Sequence, residues 1–378
     1  MKISELRARE HYDQNLMDTL KNCIRIDQKI GDRYGAPIQW FCHPFFSVYT
    51  TTDFCLPGRY YLRNQYLYTP KFMRRCIQAA AVEVMYQEKF FQKALVPAFE
   101  LEAPENSKDI MWMPGNHRFR KFDFNQRTLR IYPKHGFSRD GILQEIQIRS
   151  EMADKYCWIL PILRSDKEDC FIEEPLISAH PLNREPNKNR VSCALHKAWE
   201  ILNELHTHQY QKLKTDEYID IKRQEFVQAK NNLSRMFRGI VFDNVDNVFE
   251  KSARILKRTE YIDVSLTHGD FQPGNLLIPD EKRDDIWLID WEDAGIRASV
   301  YDKMTYLLKS RSPYGLKKRV RDFLRNPEHY ETRPEASPGI AVALWAIEEW
   351  IWLMNASSRQ GISSLPAGLC QHFREISH

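Results

Sequence analysis

The 378-residue sequence predicts an α+β protein: a small strand-rich lobe followed by a larger helical one, with a cleft between them. Three observations predict it. Segments 117–124 (HRFRKFDF) and 127–133 (RTLRIYP) are rich in β-formers and are separated by Asn125 and Gln126, as in a hairpin. From Val191 onward helical signals dominate. A content of 43% apolar and 28% charged residues is enough for a substantial core and excludes a disordered or fibrous chain.

Taken in order, residues 3–30 space Ile3, Leu6, Leu16, Leu20, Ile24 and Ile30 among charges as a helix would, with Gly31 and Gly35 marking its end. Residues 36–70 are dense in aromatic rings. Arg59 and Arg63 are the only Lys or Arg among them, so the rings read as packing rather than as a stacking surface for bases. The alanine-rich stretch 71–95 reads as a helix and APENSKD (103–109) as a linker. This gives a mainly helical N-terminal extension over 1–105, an N-lobe with its connector over 106–180, and a helical C-lobe over 181–378. In the N-lobe, 141–153 reads as a helix and 159–166 and 170–177 as strands. In the C-lobe the helices are 194–206, the charged segment 220–257, and an aromatic helix near 343–354.

Composition limits the functional classes. Lys plus Arg number 55 and Asp plus Glu 51, a net charge of +4, too mild for a nucleic-acid protein; a module built on Arg63, Arg74, Arg75 and the nearby rings is the minor reading, and no nucleic-acid partner is expected. No apolar run approaches the ~20 residues of a membrane helix. The opening MKISELRAREHYDQ lacks the apolar stretch of a signal peptide, and the eight cysteines are scattered without metal spacing, so reduced thiols and a cytoplasmic location are expected.

The chemistry is concentrated in residues 266–295, LTHGDFQPGNLLIPDEKRDDIWLIDWEDAG. His268-Gly269-Asp270 is followed by Asn275, five positions after the Asp, and then by a strand ending at Asp290. Phosphoryl transfer from ATP requires a carboxylate to orient and deprotonate the attacking hydroxyl, and oxygen ligands to hold Mg²⁺ against the phosphates. The H-R-D-x-x-x-x-N catalytic loop of protein kinases has the same Asp-to-Asn offset, with its metal-binding Asp on a later loop.

On these residues the sequence resembles the aminoglycoside phosphotransferase and choline kinase superfamily, whose H-G-D-x-x-x-x-N and I-D-W/F signatures are matched by His268 to Asn275 and by Ile289-Asp290-Trp291. The resemblance covers about residues 106–378 and implies a bilobal protein-kinase-like fold with ATP in the cleft. It further implies Asp270 as catalytic base, Asn275 and Asp290 as Mg²⁺ ligands, and a small-molecule hydroxyl as acceptor. It also implies a phosphate-binding Lys on the third lobe strand, paired with a Glu on the next helix; Arg130 stands there, with Glu145 as the expected partner and Lys134 as substitute. Pro114-Gly115-Asn116 occupies the phosphate-loop position without being glycine-rich. Backbone groups near Glu174, Pro175 and Leu176 are expected at the adenine edge, and His206 in a structural role.

The acceptor is left open among a sugar, a glycan precursor and an amino alcohol. Seven cations between Lys309 and Arg325, against Asp322 alone, favour an anionic acceptor; a solvated helix face is the competing explanation. Glu348 and Glu349 could give an acidic pocket suited to aminoglycosides if they faced the cleft. A nucleotide-binding scaffold without turnover is the alternative from another class.

Overall fold

The computed structural model describes residues 12–43, 47–67, 72–87, 98–115, 117–236, 243–280, 285–312, 314–330 and 336–359. The chain forms two compact units, Met1–Leu195 with Leu276–Glu292, and His196–Asn275 with Asp293–His378. The predicted α+β class holds: ten α-helices and three antiparallel sheets lie among the described residues. None of those helices is long and apolar enough to cross a membrane.

In the first unit, eight strands form one sheet in the order β3-β1-β2-β4-β5-β6-β8-β7. They are β1 (Tyr34–His43), β2 (Val48–Thr50), β3 (Ala98–Pro104), β4 (Ile110–Pro114), β5 (Arg118–Asp123), β6 (Thr128–Pro133), β7 (Arg164–Asp166) and β8 (Phe171–Pro175). The hairpin expected from 117–133 is present, with Arg118 opposite Pro133 and Asp123 opposite Thr128. Strands β1 to β3 come from the region expected to be a separate helical extension. They continue the same sheet, because Tyr49 of β2 pairs with Trp112 of β4. The stretch 103–109, expected as a linker, is the end of β3 and a short 3-10 turn at Ser107–Asp109 leading into β4. Of the strand expected over 159–166, only Arg164–Asp166 is regular.

The period-two alternation of strands assigns each residue to a face. On one face Trp40, Trp112, Phe119, Tyr132 and Phe171 pack under α1 (Tyr12–Lys29), which contributes Leu20, Cys23, Ile24 and Ile26. On the other, Met111 and Phe122 meet Phe54 and the helix pair α2 (Leu56–Leu67) and α3 (Phe72–Gln87). Ile131 and Ile172 on that face meet Ile142 and Ile146 of α4 (Asp140–Met152). A second sheet joins β9 (Ala179–Pro181), β12 (Leu276–Pro279) and β13 (Trp287–Leu288). Leu276 lies opposite Leu288, the hairpin expected between the two halves of the motif.

Helix α5 (Lys188–Thr207) leads the chain into the second unit. There β10 (Gln211–Lys214), β11 (Tyr261–Thr267) and β14 (Gly295–Ala298) form the third sheet. The helices are α6 (Thr215–Met236), α7 (Asp243–Leu256), α8 (Tyr301–Leu307), α9 (Leu316–Arg325) and α10 (Pro338–Arg359). The charged segment near 220–257 holds α6 and α7, and residues 237–242 of it lie outside the described residues. Phe226, Phe249, Val264, Ile347 and Trp350 centre the core. Glu348 lies within it, accepting hydrogen bonds from Tyr218 Oη and the Ala298 N–H and pairing with Lys222 at 3.2 Å, so it anchors β14 and is not a pocket acid.

Candidate active site

The loop from His268 to Asn275 belongs to the second unit. β11 ends at Thr267, and the N–H groups of His268 and Gly269 both donate to the Asp302 carboxylate, at 2.6 and 3.0 Å. Gly269 has φ +84°, and a Cβ there would lie 2.0 Å from the Asp293 carbonyl oxygen. Only glycine satisfies both demands. Gly269→Ala should therefore cost about 3 kcal/mol or more, whereas Gly31→Ala, at φ +106° but in open space, should cost only about 1 kcal/mol of backbone strain. Denaturant unfolding of the two variants checks this.

That turn delivers Asp270 to a fixed set of partners. Its Oδ2 accepts from Gln272 Nε2 at 2.8 Å and from Asn275 Nδ2 at 2.9 Å; its Oδ1 accepts from Arg311 Nε at 2.5 Å. Asn275, buried, also donates to the Asp270 carbonyl at 2.9 Å. Its amide protons are thus directed to Asp270, and its side-chain oxygen is left as an acceptor for a cation. His206 Nε2 is 4.0 Å from Asp302, beside the carboxylate that holds the loop.

The first unit holds a cavity of about 220 Å³ lined by Arg118, Glu145, Arg149, Glu174, Leu176 and Asp290, among others. Of the residues singled out in the sequence, Glu145, Glu174, Pro175, Leu176 and Asp290 meet there. Arg130 does not. Alternation puts Leu129 and Ile131 toward the cavity and Arg130 on the α1 face, where it is ion-paired to Asp27 at 2.8 Å, to Asp32 at 2.5 Å and to Glu173. The expected Arg130–Glu145 pair is therefore not formed. Lys134, the substitute, is committed to the Gly115 carbonyl at 2.5 Å.

Three arginines line the cavity, Arg118, Arg120 and Arg149, and none of them was singled out from the sequence. The signal was the Arg-Phe-Arg alternation after the Gly115 turn, which puts Arg118 and Arg120 on one face of β5. Arg118 is 2.5 Å from Glu145 and 3.3 Å from Asp290 through Nη1 and is ion-paired to Glu292 at 2.8 Å through Nη2, while its buried Nε makes no hydrogen bond. Burial opposes its charge, but the acids outweigh burial and keep it protonated. Glu145 also pairs with Arg149, which pairs with Glu174 at 2.6 Å. Burial would raise Glu145, yet the two arginines hold it below the usual carboxylate range. Burial raises Glu174 against the pull of Arg149. The Leu176 N–H, expected at an adenine edge, donates to the Arg127 carbonyl at 2.8 Å.

Asp290 sits at φ +71° just after β13, a conformation that Asp tolerates better than most residues. Burial, and then the charge of Glu292, push its carboxyl up to about 7 against Arg118. Burial would also raise Glu292, but Arg118 and the hydrogen bond with His117 hold it at about 2. Asp290 Oδ1 is buried and, with Arg118 Nη1 3.3 Å away, makes no aligned hydrogen bond. A carboxylate so disfavoured as a bare anion suits a bound cation. Among the described residues no three His, Cys, Asp or Glu side chains cluster as a metal cage.

The basic run of 309–325 divides. Arg311 is on Asp270, and Arg319 is spent on loop carbonyls, including Leu308 at 2.6 Å and Tyr314 at 2.7 Å. Lys318 pairs with Asp322 on the exposed surface of α9. Glu349 is also committed, to Arg311 at 2.5 Å and to Tyr301 Oη at 2.8 Å.

Comparison with known proteins agrees with the motif. The family model described as "Phosphotransferase enzyme family" (APH) matches residues 162–333. No curated protein matches the chain. Among solved structures, choline kinase LicA from Streptococcus pneumoniae is similar at 17% identity over 69% of this chain and 89% of its own, with a TM-score of 0.46. An ethanolamine kinase from Plasmodium vivax is similar at 14% identity over 86% and 95%, TM-score 0.46. A thermostable mutant of aminoglycoside phosphotransferase APH(4)-Ia, in ternary complex with AMP-PNP and hygromycin B, is similar at 14% identity over 71% and 90%, TM-score 0.47. The family match includes His268, Asp270, Asn275 and Asp290 and begins after Arg118 and Glu145. Over residues 162–333, a little under half of its length, the chain is therefore similar to the phosphotransferase enzyme family.

Proposed function

We propose that the protein transfers the γ-phosphoryl group of ATP to a hydroxyl of a small molecule, a sugar, glycan precursor or amino alcohol. The observation that carries this reading is the state of Asp270. About four lone-pair positions are available on a carboxylate, and three are filled by Gln272, Asn275 and Arg311. The one that remains, on Oδ1, can accept the proton of an attacking hydroxyl. Arg118, its charge assured and its Nε without a hydrogen bond, would hold the phosphate oxygens, with Arg120 beside it where a glycine-rich loop would otherwise supply backbone N–H groups. Glu145 and Arg149 steady that guanidinium. Asn275 and Asp290 are the proposed Mg²⁺ ligands; the ion would neutralise phosphate charge and help orient the nucleotide.

An anionic acceptor is supported by the exposed cations on α9 and weakened by the internal commitments of Arg311 and Arg319. Glu348 and Glu349, both engaged with neighbouring groups, offer little to a polycationic aminoglycoside. The test is purified protein with Mg·ATP against sugars, sugar phosphates, amino alcohols and aminoglycosides, read by phosphorylated mass. Phosphorylation of one class is expected. If nothing on the panel gains a phosphoryl group while ATP still binds, the nucleotide-binding scaffold is the better reading.

The raised Asp290 carboxyl has a consequence for pH. Below about 7 it carries a proton that a cation must displace, so Mg²⁺ affinity should rise with pH by up to about tenfold per unit and level off above about 7. Because the folded value lies above the unfolded one, ligand-free stability should fall as pH rises through the same window. Calorimetric Mg²⁺·ADP titrations at several pH values check the first point, and Asp290→Asn should abolish the slope.

A further inference from the structure

The base loop is gripped from two sides. Asp302 takes the N–H groups of His268 and Gly269. From the other side, Arg311 places Nε on Asp270 Oδ1 and Nη2 on the Gly269 carbonyl at 2.9 Å, so one guanidinium spans the backbone before the base and the base's own carboxylate. That guanidinium is itself immobilised. Its Nη1 is 2.5 Å from Glu349, its Nη2 is 3.4 Å from Tyr301 Oη, and its central carbon lies 3.4 Å from the centroid of the Trp352 ring. A surface cation has no need of such a socket. Planar, forked and stacked, the group suits a position that fixes orientation.

We propose that Arg311 is the positioning residue of the base: it sets the rotation of the Asp270 carboxylate so that one acceptor position, on Oδ1, faces the hydroxyl that is to lose its proton. The inference rests on the reading of Asp270 as the base and adds a second residue to that function. Arg311 lies 41 positions from Asp270, in the turn between α8 and α9, and the motif gives no sign of it. Without Arg311 the carboxylate keeps Gln272 and Asn275 on Oδ2 alone and can swing about that edge, so that hydroxyl and acceptor no longer meet in line.

The test uses Mg·ATP and the panel hydroxyl with the highest turnover, with wild type, Arg311→Met, Arg311→Lys and Arg311→Ala. A misplaced general base costs rate more than binding, so Arg311→Met should lower kcat on the order of 10²-fold and leave KM for Mg·ATP within about threefold. Arg311→Lys, which keeps the charge but not the fork, should recover about tenfold of that loss, and millimolar guanidinium should partly rescue Arg311→Ala. A merely structural residue would change kcat and KM together and show no rescue. If Arg311→Met fails to fold because Glu349 loses its ion pair, Arg311→Met combined with Glu349→Gln removes both charges and is held to the same expectation. A kcat within threefold of wild type, a loss confined to KM, or a gain in kcat overturns the proposal. Should wild type phosphorylate nothing, or Asp270→Asn stay active, the reading of the base falls first and this inference with it.

Discussion

Asp270→Ala should lower phosphoryl transfer by about 10³-fold or more and leave Mg·ATP affinity within a few-fold of wild type. Its carboxylate is held by Gln272, Asn275 and Arg311, with one lone pair left for the acceptor. In the proposed role that lone pair acts on the proton of the hydroxyl, so its removal is expected to be felt in the transition state and hardly in ground-state nucleotide binding. Turnover by mass and nucleotide affinity by calorimetry separate the two effects. Activity within tenfold of wild type would remove Asp270 from the role.

The second large effect separates two arginines. Arg118→Met should weaken nucleotide binding on the order of 10²-fold, because it removes charge-assisted hydrogen bonds to phosphate and leaves Glu145, Asp290 and Glu292 to repel the anion. Arg130→Met should instead leave nucleotide affinity within about threefold and destabilise the fold by about 3 kcal/mol, since it strands the fully buried Asp27 together with Asp32 and Glu173. Combined with Glu145→Gln, the Arg118 variant should be strongly non-additive and the Arg130 variant additive. Equal losses of nucleotide affinity from the two arginines would contradict the assignment.

The Arg130 error shows which information a strand sequence withholds. Thr128-Leu129-Arg130-Ile131-Tyr132-Pro133 has no readable alternation, because β6 is buried on both faces: Ile131 against α4, and Arg130 and Tyr132 against α1. The acids that neutralise Arg130 lie about a hundred residues upstream, Asp27 in α1 and Asp32 just after it, and no local pattern points to them. Strands β1 to β3 were hidden for a related reason. Their rings and apolar residues read as packing, and Gly35 and Pro37 interrupt β1 at its bulge, so pairing with β4 could not be foreseen.

What was legible was local. The 117–133 hairpin, helix 141–152, the Asp270–Asn275 spacing and the LLI–WLID hairpin are each set by residues within a few positions of one another, and each is present. Arg311 marks the opposite limit. In the sequence it is one cation of seven in a basic run, and its distinction lies wholly in the partners that α8, α10 and the base loop bring to it.

The central claim, transfer of the γ-phosphoryl group to a hydroxyl, is tested most directly by phosphorus NMR of a single reaction containing the protein, Mg·ATP and the best panel acceptor. The account predicts that the γ-phosphate signal of ATP disappears in step with a new phosphomonoester, one for each ADP formed, and that Asp270→Asn leaves both signals unchanged. Loss of ATP to inorganic phosphate alone, or a phosphomonoester that forms equally with Asp270→Asn, would contradict it.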